Sequence, residues 1–444
     1  MSPRSSPIFG SIRRINMSGE RILGLECSHC GKIYPSRGEI QSVCPVCDPK
    51  FGTLECLFDY DCVGAGLKKQ PLTSRRDMSM FRYRELLPVD DPAAHVPLHI
   101  GWTPVYHCPE AASAAGVREV YIKDDGMNPT ASTKDRASAM VVGRARELGY
   151  DAVCTASTGN AAASLAACCR SVGMPCIVLV PAAAPRAKLI QMLAYGASVI
   201  PVDGTYDQAF DLAIQACETF GWMNRSAGFN PCLVEGKKTC AWELGEQMRF
   251  ELPDAVFVSV GDGSIISGIC KGFREMKSLG FTRRIPRVFG VQAQGSRVLT
   301  DAWESGGNSG TIDFTPAPVS VTVADSISVG YPREGIRALR SVRSTGGGFL
   351  AVTDDEILGA MAALPKESAV FGEPAAAAAY AGMKESVRRG ILNKTHSVAV
   401  IITGSGLKDI RTAESVWTVE NAPVPISDDA LDIITDRIRG DAKC

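Results

Sequence analysis

Short apolar runs alternate along the middle of the chain with longer stretches whose apolar positions recur every three or four residues. Gly101-Trp102-Thr103-Pro104 opens a strand, Val120-Tyr121-Ile122 reads as a second, and Ala137 to Leu148 follows as a helix. Next come a strand at Ala152 to Ala156, a helix at Ala161 to Val172, a strand at Cys176 to Val180 and a helix at Pro185 to Tyr195. The strand Ser198 to Val202, the helix Tyr206 to Phe220 and a short strand near Trp222 close this series. Farther on, the strand Ala255 to Val260 leads into a helix reaching Leu279, and the alanine-rich helix Ala375 to Lys384 precedes a last strand, Ser397 to Ile402. Strands joined through helices return in the same direction, so the pattern predicts an α/β fold with parallel sheets and right-handed crossovers.

Composition narrows the function. At 444 residues the chain exceeds one average domain, and 45% hydrophobic with 21% charged residues is an ordinary globular balance. Two or three compact units are expected. A formal net charge of -1 supplies no basic footprint for nucleic acid or an anionic membrane, which points to chemistry on small molecules. No apolar run approaches the roughly 20 residues that span a bilayer. Residues 1–20 carry Arg4, Arg13 and Arg14, but Pro3 and Pro7 break an amphipathic helix, so a disordered tail is expected there and not a transit peptide. Of sixteen cysteines, Cys154, Cys168, Cys169 and Cys176 fall inside apolar patterns, where free thiols pack as small hydrophobes; this points to a reducing cytoplasm.

The chemistry centres on Asn128-Pro129-Thr130-Ala131-Ser132-Thr133-Lys134-Asp135-Arg136. An apolar strand precedes this stretch and a helical pattern follows, so Lys134 stands where extended chain becomes helix. Near a helix N-terminus and partly desolvated, an ammonium is disfavoured, and the free amine can form a Schiff base with an aldehyde cofactor. Alone, Lys-Asp-Arg would be the solvated first turn of a surface helix. In context the stretch resembles the lysine motif of fold-type II pyridoxal-phosphate enzymes, N-P-(T/A)-x-S-x-K-D-R, and is most similar to the threonine synthase family, N-P-T-G-S-F-K-D-R. Ala131 and Thr133 stand where that family has Gly and Phe.

Further stretches follow in that family's order. Ser157-Thr158-Gly159-Asn160, at a strand end and a helix start, offers free N–H groups, hydroxyls and a positive dipole end to an anion. It resembles the family's substrate-carboxylate loop, with Asn160 matching the asparagine that meets the cofactor's 3-oxygen. Val260-Gly261-Asp262-Gly263-Ser264-Ile265-Ile266-Ser267-Gly268 lies between a strand and a helix and resembles the pocket for the cofactor's phosphate. Asp262 is unhelpful beside a dianion and is expected to turn away or cap a turn. A full G-x-G-x-x-G with an acidic ribose ligand is missing, which argues against a dinucleotide site. Phe371-Gly372-Glu373-Pro374 resembles the family's E-P-A segment, its alanines serving close helix packing. Thr403-Gly404-Ser405-Gly406-Leu407-Lys408-Asp409 resembles T-G-x-G-L-K-D, with Thr403 the expected partner of the pyridine nitrogen; a hydroxyl there does not force that nitrogen to be protonated.

One position departs. Asn230-Pro231-Cys232-Leu233-Val234-Glu235-Gly236-Lys237-Lys238-Thr239 resembles N-P-Y-R-(L/I)-E-G-Q-K-T, yet Leu233 replaces the arginine that grips the substrate's phosphate. Leucine offers no fork to phosphate. Either Arg225, Lys237 or Lys238 takes over, or the substrate is not phosphorylated; Lys238 is assigned to substrate binding together with Ser132, Ser157, Thr158, Gly159 and Asn160.

Near the start, Cys27-Ser28-His29-Cys30 and Cys44-Pro45-Val46-Cys47 form two C-x2-C knuckles thirteen residues apart. Four thiolates make a closed tetrahedral site, so a metal there is structural, with zinc expected and iron also compatible with the ligand set. His29 can replace a cysteine but is expected to point to solvent. The segment resembles the zinc ribbon that precedes the catalytic body in many threonine-synthase-like proteins.

The resemblance thus implies a fold-type II enzyme, tryptophan synthase β-like, with two α/β domains and an N-terminal zinc ribbon. The ribbon is expected over 21–61 and a proline- and charge-rich linker over 62–99. A large cofactor-binding domain takes 100–140 and 223–415, a small inserted domain 141–222, and a tail with a short final helix 416–444. It implies a lyase that converts O-phospho-L-homoserine and water to L-threonine and phosphate, with pyridoxal 5'-phosphate on Lys134 and a structural Zn2+. The expected protein is a cytoplasmic homodimer acting on a small amino acid. A related β-elimination or β-replacement on a serine, phosphoserine or threonine-type substrate is the competing reaction, and a cofactor-free binding protein that kept the fold is the non-enzymatic alternative.

Overall fold

The structure, a computed structural model, describes residues 21–36, 42–47, 52–184, 186–306, 321–417, 423–427 and 430–441. The tail expected over residues 1–20 lies outside them. No helix among the described residues is long and apolar enough to cross a membrane.

The first unit is a three-stranded antiparallel sheet of β1 (Ile22–Cys27), β2 (Ile33–Tyr34) and β3 (Leu54–Phe58), in the order β2-β1-β3. It is fastened to the body through β3: the Lys271 ammonium donates to the Cys56 carbonyl at 2.7 Å and Arg337 donates to the Leu54 carbonyl at 2.7 Å. Helix α1 (Tyr60–Lys69) follows, started by Asp59, whose carboxylate accepts from the N–H groups of Asp61 and Cys62. The stretch from there to residue 99 is packed down, unlike the linker its prolines and charges suggest. Met80, Tyr83, Leu86 and Leu87 are fully buried, and the Arg82 guanidinium grips Glu246 at 2.6 and 2.9 Å. Its charges pair against the body, and its apolar residues fill a core shared with the following helices.

The main sheet begins with β4 (Val105–His107), α2 (Pro109–Ala115), β5 (Glu119–Asp124) and α3 (Lys134–Glu147). A second sheet then interrupts it, built from β6 (Val153–Ala156), α4 (Asn160–Ser171), β7 (Cys176–Pro181), α5 (Arg186–Ala194), β8 (Ser198–Val202), α6 (Tyr206–Phe220) and β9 (Met223–Asn224). Its four strands are parallel in the order β8-β7-β6-β9. Pro201 is tolerated because β8 is an edge strand.

The chain returns through α7 (Cys232–Lys237), α8 (Thr239–Gln247), β10 (Ala255–Ser259), α9 (Ser264–Ser278), β11 (Arg287–Ala293), α10 (Val298–Glu304), α11 (Gly335–Arg343), β12 (Gly348–Val352), α12 (Asp354–Ser368), α13 (Pro374–Arg388), β13 (Ser397–Ile402) and α14 (Ile410–Val416). Helix α15 (Ala430–Asp441) ends the described chain. The main sheet runs β12-β11-β10-β13-β5-β4, parallel except for β4. Strands β10 and β13 are buried at every residue, as expected of strands covered by helices on both faces. On one face the alanines of α13 let it lie against the sheet; a Cβ at Gly382 would stand 2.3 Å from Val291. The carboxyl ends of β5, β10 and β13, all central or nearly so, open toward the second sheet, and ligands in open α/β sheets bind at such ends.

Candidate active site

Lys134 is the first residue of α3 and is only partly exposed. Three loops are laced together around it by backbone bonds. Thr133 N–H donates to the Thr403 carbonyl at 2.9 Å, Ser405 N–H to Ala131 at 3.0 Å, and Glu373 N–H to Gly404 at 3.0 Å. The lysine stretch, the end of β13 and the start of α13 therefore share one rigid floor. Asp135 and Arg136 stabilise that floor from below. The Asp135 carboxylate accepts from Thr130 N–H at 2.7 Å and from its hydroxyl at 2.5 Å, and Arg136 is clamped between Asp125 and Glu243 by four bonds of 2.5 to 2.8 Å. Ala131 holds a φ of +61°, the left-handed region that glycine enters freely and other residues enter at a cost of about 1–2 kcal/mol.

Burial pulls the Lys134 ammonium below the usual lysine range; Asp262 opposes the fall, Arg225 reinforces it and Glu373 opposes it. A free amine is thereby favoured, as an attack on an aldehyde requires. Ser132 is buried, and its hydroxyl accepts from the Lys134 N–H at 3.3 Å.

Above this floor stands the end of β6. Ser157 and Thr158 are half-buried, Gly159 is exposed with open space where a Cβ would go, and Asn160 is buried at the start of α4. The Asn160 amide donates to both carboxylate oxygens of Glu373, at 3.0 and 3.1 Å. Burial pushes the Glu373 carboxyl up to about 6. A Cβ at Gly404 would lie 2.5 Å from that carboxylate, so only glycine permits the acid there. Thr403 is buried, its hydroxyl paired with Ser259 at 3.2 Å.

The turn after β10 is a cradle. Gly263 has a φ of +96°, and a Cβ on it would stand 2.7 Å from Ala338. Helix α9 begins at Ser264, and its first turn points unpaired N–H groups outward, Ser267 N–H being the first to find a carbonyl of the turn, that of Gly263, at 3.1 Å. Asp262 caps the helix by accepting from Ser264 N–H at 2.9 Å. Burial pushes its carboxyl up, but Lys237 and Lys134 outweigh that and hold it below the usual carboxylate range. The Lys237 ammonium donates to the Ser264 hydroxyl at 2.6 Å, and burial together with Lys134 brings it down to about 7.

Lys238 does not join this cluster. Its ammonium is enclosed by Glu235 at 2.6 Å and Glu275 at 2.7 Å, over the ring of Phe58. Adjacent helical residues project about 100° apart, so Lys237 faces the cleft and Lys238 the core under β3. Leu233 is fully buried among residues of α3 and the second sheet. Arg225, at the end of β9, reaches the same cleft, with its Nε donating to Ser138 at 3.2 Å. Sequence reasoning gave Glu373 no part in the site; an acid set directly before a helix-opening proline was its only signal.

The donor set fits pyridoxal phosphate: a depressed amine, a helix-opening turn whose two glycines leave no room for a side chain, and the buried amide of Asn160 and hydroxyl of Thr403. The four cysteines also converge. The sulfurs of Cys27, Cys30, Cys44 and Cys47 all lie within 4.8 Å of one another, with Cys27 and Cys47 3.8 Å apart and Cys30 and Cys44 3.7 Å apart. A tetrahedral ion with metal–sulfur bonds of about 2.3 Å separates its ligands by about 3.8 Å. His29 turns back so that Nδ1 lies 3.3 Å from the Cys47 sulfur, and it does not point to solvent as expected. No disulfide joins cysteines among the described residues.

A family model described as pyridoxal-phosphate dependent enzyme matches residues 96–404. The fold agrees with that class: the diaminopropionate ammonia lyase of Escherichia coli superimposes with a TM-score of 0.62 at 18% identity, covering 78% of this chain and 93% of that one. Threonine synthase of Methanocaldococcus jannaschii is 37% identical over 400 residues, 89% of this chain and 96% of the relative. That of Methanosarcina acetivorans is 37% identical over 422 residues, 94% of this chain and 99% of the relative. The chain belongs to the threonine synthase family of pyridoxal-phosphate-dependent lyases.

Proposed function

We propose that the protein is itself a threonine synthase, converting O-phospho-L-homoserine and water to L-threonine and phosphate. The observation that carries this reading is the Lys134 amine, held below the usual lysine range at the meeting point of three laced loops, in a chain that follows threonine synthases over nearly their whole length. Bound pyridoxal phosphate supplies the electron sink that makes loss of a proton from the substrate's Cα feasible. Lys134 would hold the cofactor's aldehyde carbon, then take and return protons at Cα and Cβ. The first turn of α9, with Gly261, Asp262, Gly263, Ser264 and Ile265, would carry the cofactor's phosphate. Asn160 would orient the ring at its 3-oxygen, and Thr403 would meet the ring nitrogen without forcing it to be protonated. Ser157, Thr158 and Gly159 would take the substrate's carboxylate with their N–H groups and hydroxyls. Cys27, Cys30, Cys44 and Cys47 would hold a structural zinc; their mutual spacing supports it, and metal analysis of the purified protein should read one zinc per chain.

The buried Leu233 keeps one competitor in play, a β-elimination or β-replacement on an unphosphorylated serine-type amino acid. Incubation of the holoenzyme with O-phosphohomoserine should release threonine and phosphate in equal amounts. Turnover of serine or threonine to a ketoacid, with none of phosphohomoserine, would replace the reading by its competitor.

A further inference from the structure

Two helices run from the ribbon to the glycine turn after β10. Helix α9 opens that turn with Ser264, and seven residues on, two turns along the helix, Lys271 pairs with Glu55 of β3 at 3.2 Å and donates to the Cys56 carbonyl at 2.7 Å. Helix α11 is pressed against the same turn. Glu334, directly before it, donates its N–H to the Asp262 carbonyl at 3.0 Å, and a Cβ on Gly263 would stand 2.7 Å from Ala338 and 3.1 Å from the Glu334 carbonyl oxygen. Arg337 and Arg340 follow Glu334 at successive three-residue steps, positions that neighbour one another on a helix surface. Arg337 donates to the Leu54 carbonyl of β3 at 2.7 Å. Arg340 donates to the Ser28 carbonyl and, at 3.3 Å, to that of His29. Ser28 and His29 are the two residues between Cys27 and Cys30, so α11 holds the backbone of the first cysteine knuckle at one end and the cofactor turn at the other.

The connection is stiff where it nears the cofactor. Glu334 is 1% and Arg337 3% exposed, and the two pair at 3.0 Å; the other Glu334 oxygen accepts from Gly228 N–H at 3.1 Å, in the loop that returns from the second sheet. Breaking a buried ion pair by removing one partner costs several kcal/mol, so these groups move together or not at all. From Glu334 to Arg340 is about 9 Å of helix, which cannot change length without losing its own hydrogen bonds. Arg340 is the exposed end, and its bonds depend on where the knuckle carbonyls lie. A metal shared by four sulfurs ties the first knuckle to the second, and the free energy of binding such a metal is free energy of folding for the unit that holds it. Metal occupancy therefore fixes the carbonyls that Arg340 meets.

We propose that α11 couples the cysteine cluster to the cofactor site: metal held by Cys27, Cys30, Cys44 and Cys47 strengthens the binding of pyridoxal phosphate, with Arg340 and Arg337 as the positioning residues. The inference goes beyond the reaction proposed above and rests on the metal and phosphate sites assigned with it. Coupling between two binding sites is reciprocal, so bound cofactor strengthens metal binding by the same factor.

The test uses the full chain, wild type against Arg340→Met and Arg340→Lys, each loaded with zinc and after removal of zinc by a chelator. It reads the affinity for pyridoxal phosphate from the cofactor's visible absorbance, and the affinity for zinc by competition with a chromophoric chelator, with and without cofactor. Removing zinc from wild type should weaken pyridoxal phosphate by about tenfold, and bound cofactor should tighten zinc by the same factor. In Arg340→Met the factor should fall toward one with zinc still bound, and Arg340→Lys, which keeps a donor, should retain part of it. Far-UV circular dichroism reports whether the body stays folded without zinc. If it does not, the zinc-loaded Arg340→Met variant decides: its affinity for pyridoxal phosphate should lie about tenfold below that of zinc-loaded wild type, and an equal affinity overturns the coupling. Zinc bound to wild type with no effect on cofactor affinity, or full coupling in Arg340→Met, also overturns it and leaves both sites standing. A chain that binds no zinc overturns the metal site and the coupling together, whereas the reaction stands or falls separately on turnover of O-phosphohomoserine.

Discussion

Two ionic clusters lie within this fold, built from neighbouring residues of the same types and put to opposite uses. Under β3, Lys238 and Lys271 are enclosed by Glu235 and Glu275, and the Trp242 ring N–H donates to Glu275 at 3.0 Å. In the cleft, Lys134, Lys237 and Arg225 face Asp262 with donors to spare. Lys271 is driven well above the ordinary lysine range, first against burial and then by Glu235 and Glu55, whereas Lys134 and Lys237 are driven below it. Burial alone thus does not set a lysine's chemistry; the number of acids buried with it does. The satisfied cluster fixes the ribbon on the body, and the unsatisfied one waits for anions and an aldehyde.

The largest effect that sharpens this contrast is Lys134→Ala. It should abolish the visible absorbance of bound cofactor and lower turnover by on the order of 10^4-fold or more, with the thermal midpoint little changed. An absorbance like that of wild type would remove the amine from the mechanism. Next in size, Lys238→Ala leaves Glu235 and Glu275 buried without their shared cation and should cost about 3–5 kcal/mol in denaturant unfolding. Absorbance per folded molecule should survive. Full stability with lost turnover would move Lys238 into the cleft cluster after all.

Glu373 gives a smaller, pH-dependent effect. Its carboxyl is raised from 4.5 to about 6 by burial, so the folded state prefers the protonated acid. The associated stability is complete below about 4.5 and lost as pH rises through about 6. Glu373→Gln should therefore stabilise cofactor-free protein by about 2 kcal/mol near pH 8 and by almost nothing near pH 4.5. A difference that does not vary with pH would show that the shift has another origin. Smallest is Ala131→Gly, which relieves the left-handed backbone beside Lys134 and should raise stability by about 1 kcal/mol; a loss instead would mean that the Ala131 methyl makes contacts worth more than the strain.

Much of the architecture was legible because it is local. Strands Ser198–Val202 and Ser397–Ile402 and helix Tyr206–Phe220 stand where the apolar spacing put them, since periodicity reports directly which face is buried. Between residues 280 and 370 it was silent. Strand β11 runs unbroken through Gly290, which closely faces Phe349, but in the sequence a glycine in a short apolar run reads as a turn. The stretch 62–99 looked like a tether because its prolines and charges carry no information about partners such as Glu246, which lies more than 160 residues away.

By itself, then, the sequence determined the alternating strands and helices, the cysteine knuckles and the order of the lysine, asparagine, glycine and threonine stretches, because each is set within a few residues of backbone. Only the tertiary structure decided which of two adjacent lysines faces the cleft, that Glu373 meets Asn160 across 213 residues, and that Arg225 keeps an unpaired guanidinium nitrogen beside Lys134. Those outcomes depend on which helix faces which sheet, and that is settled by packing between segments far apart in the chain.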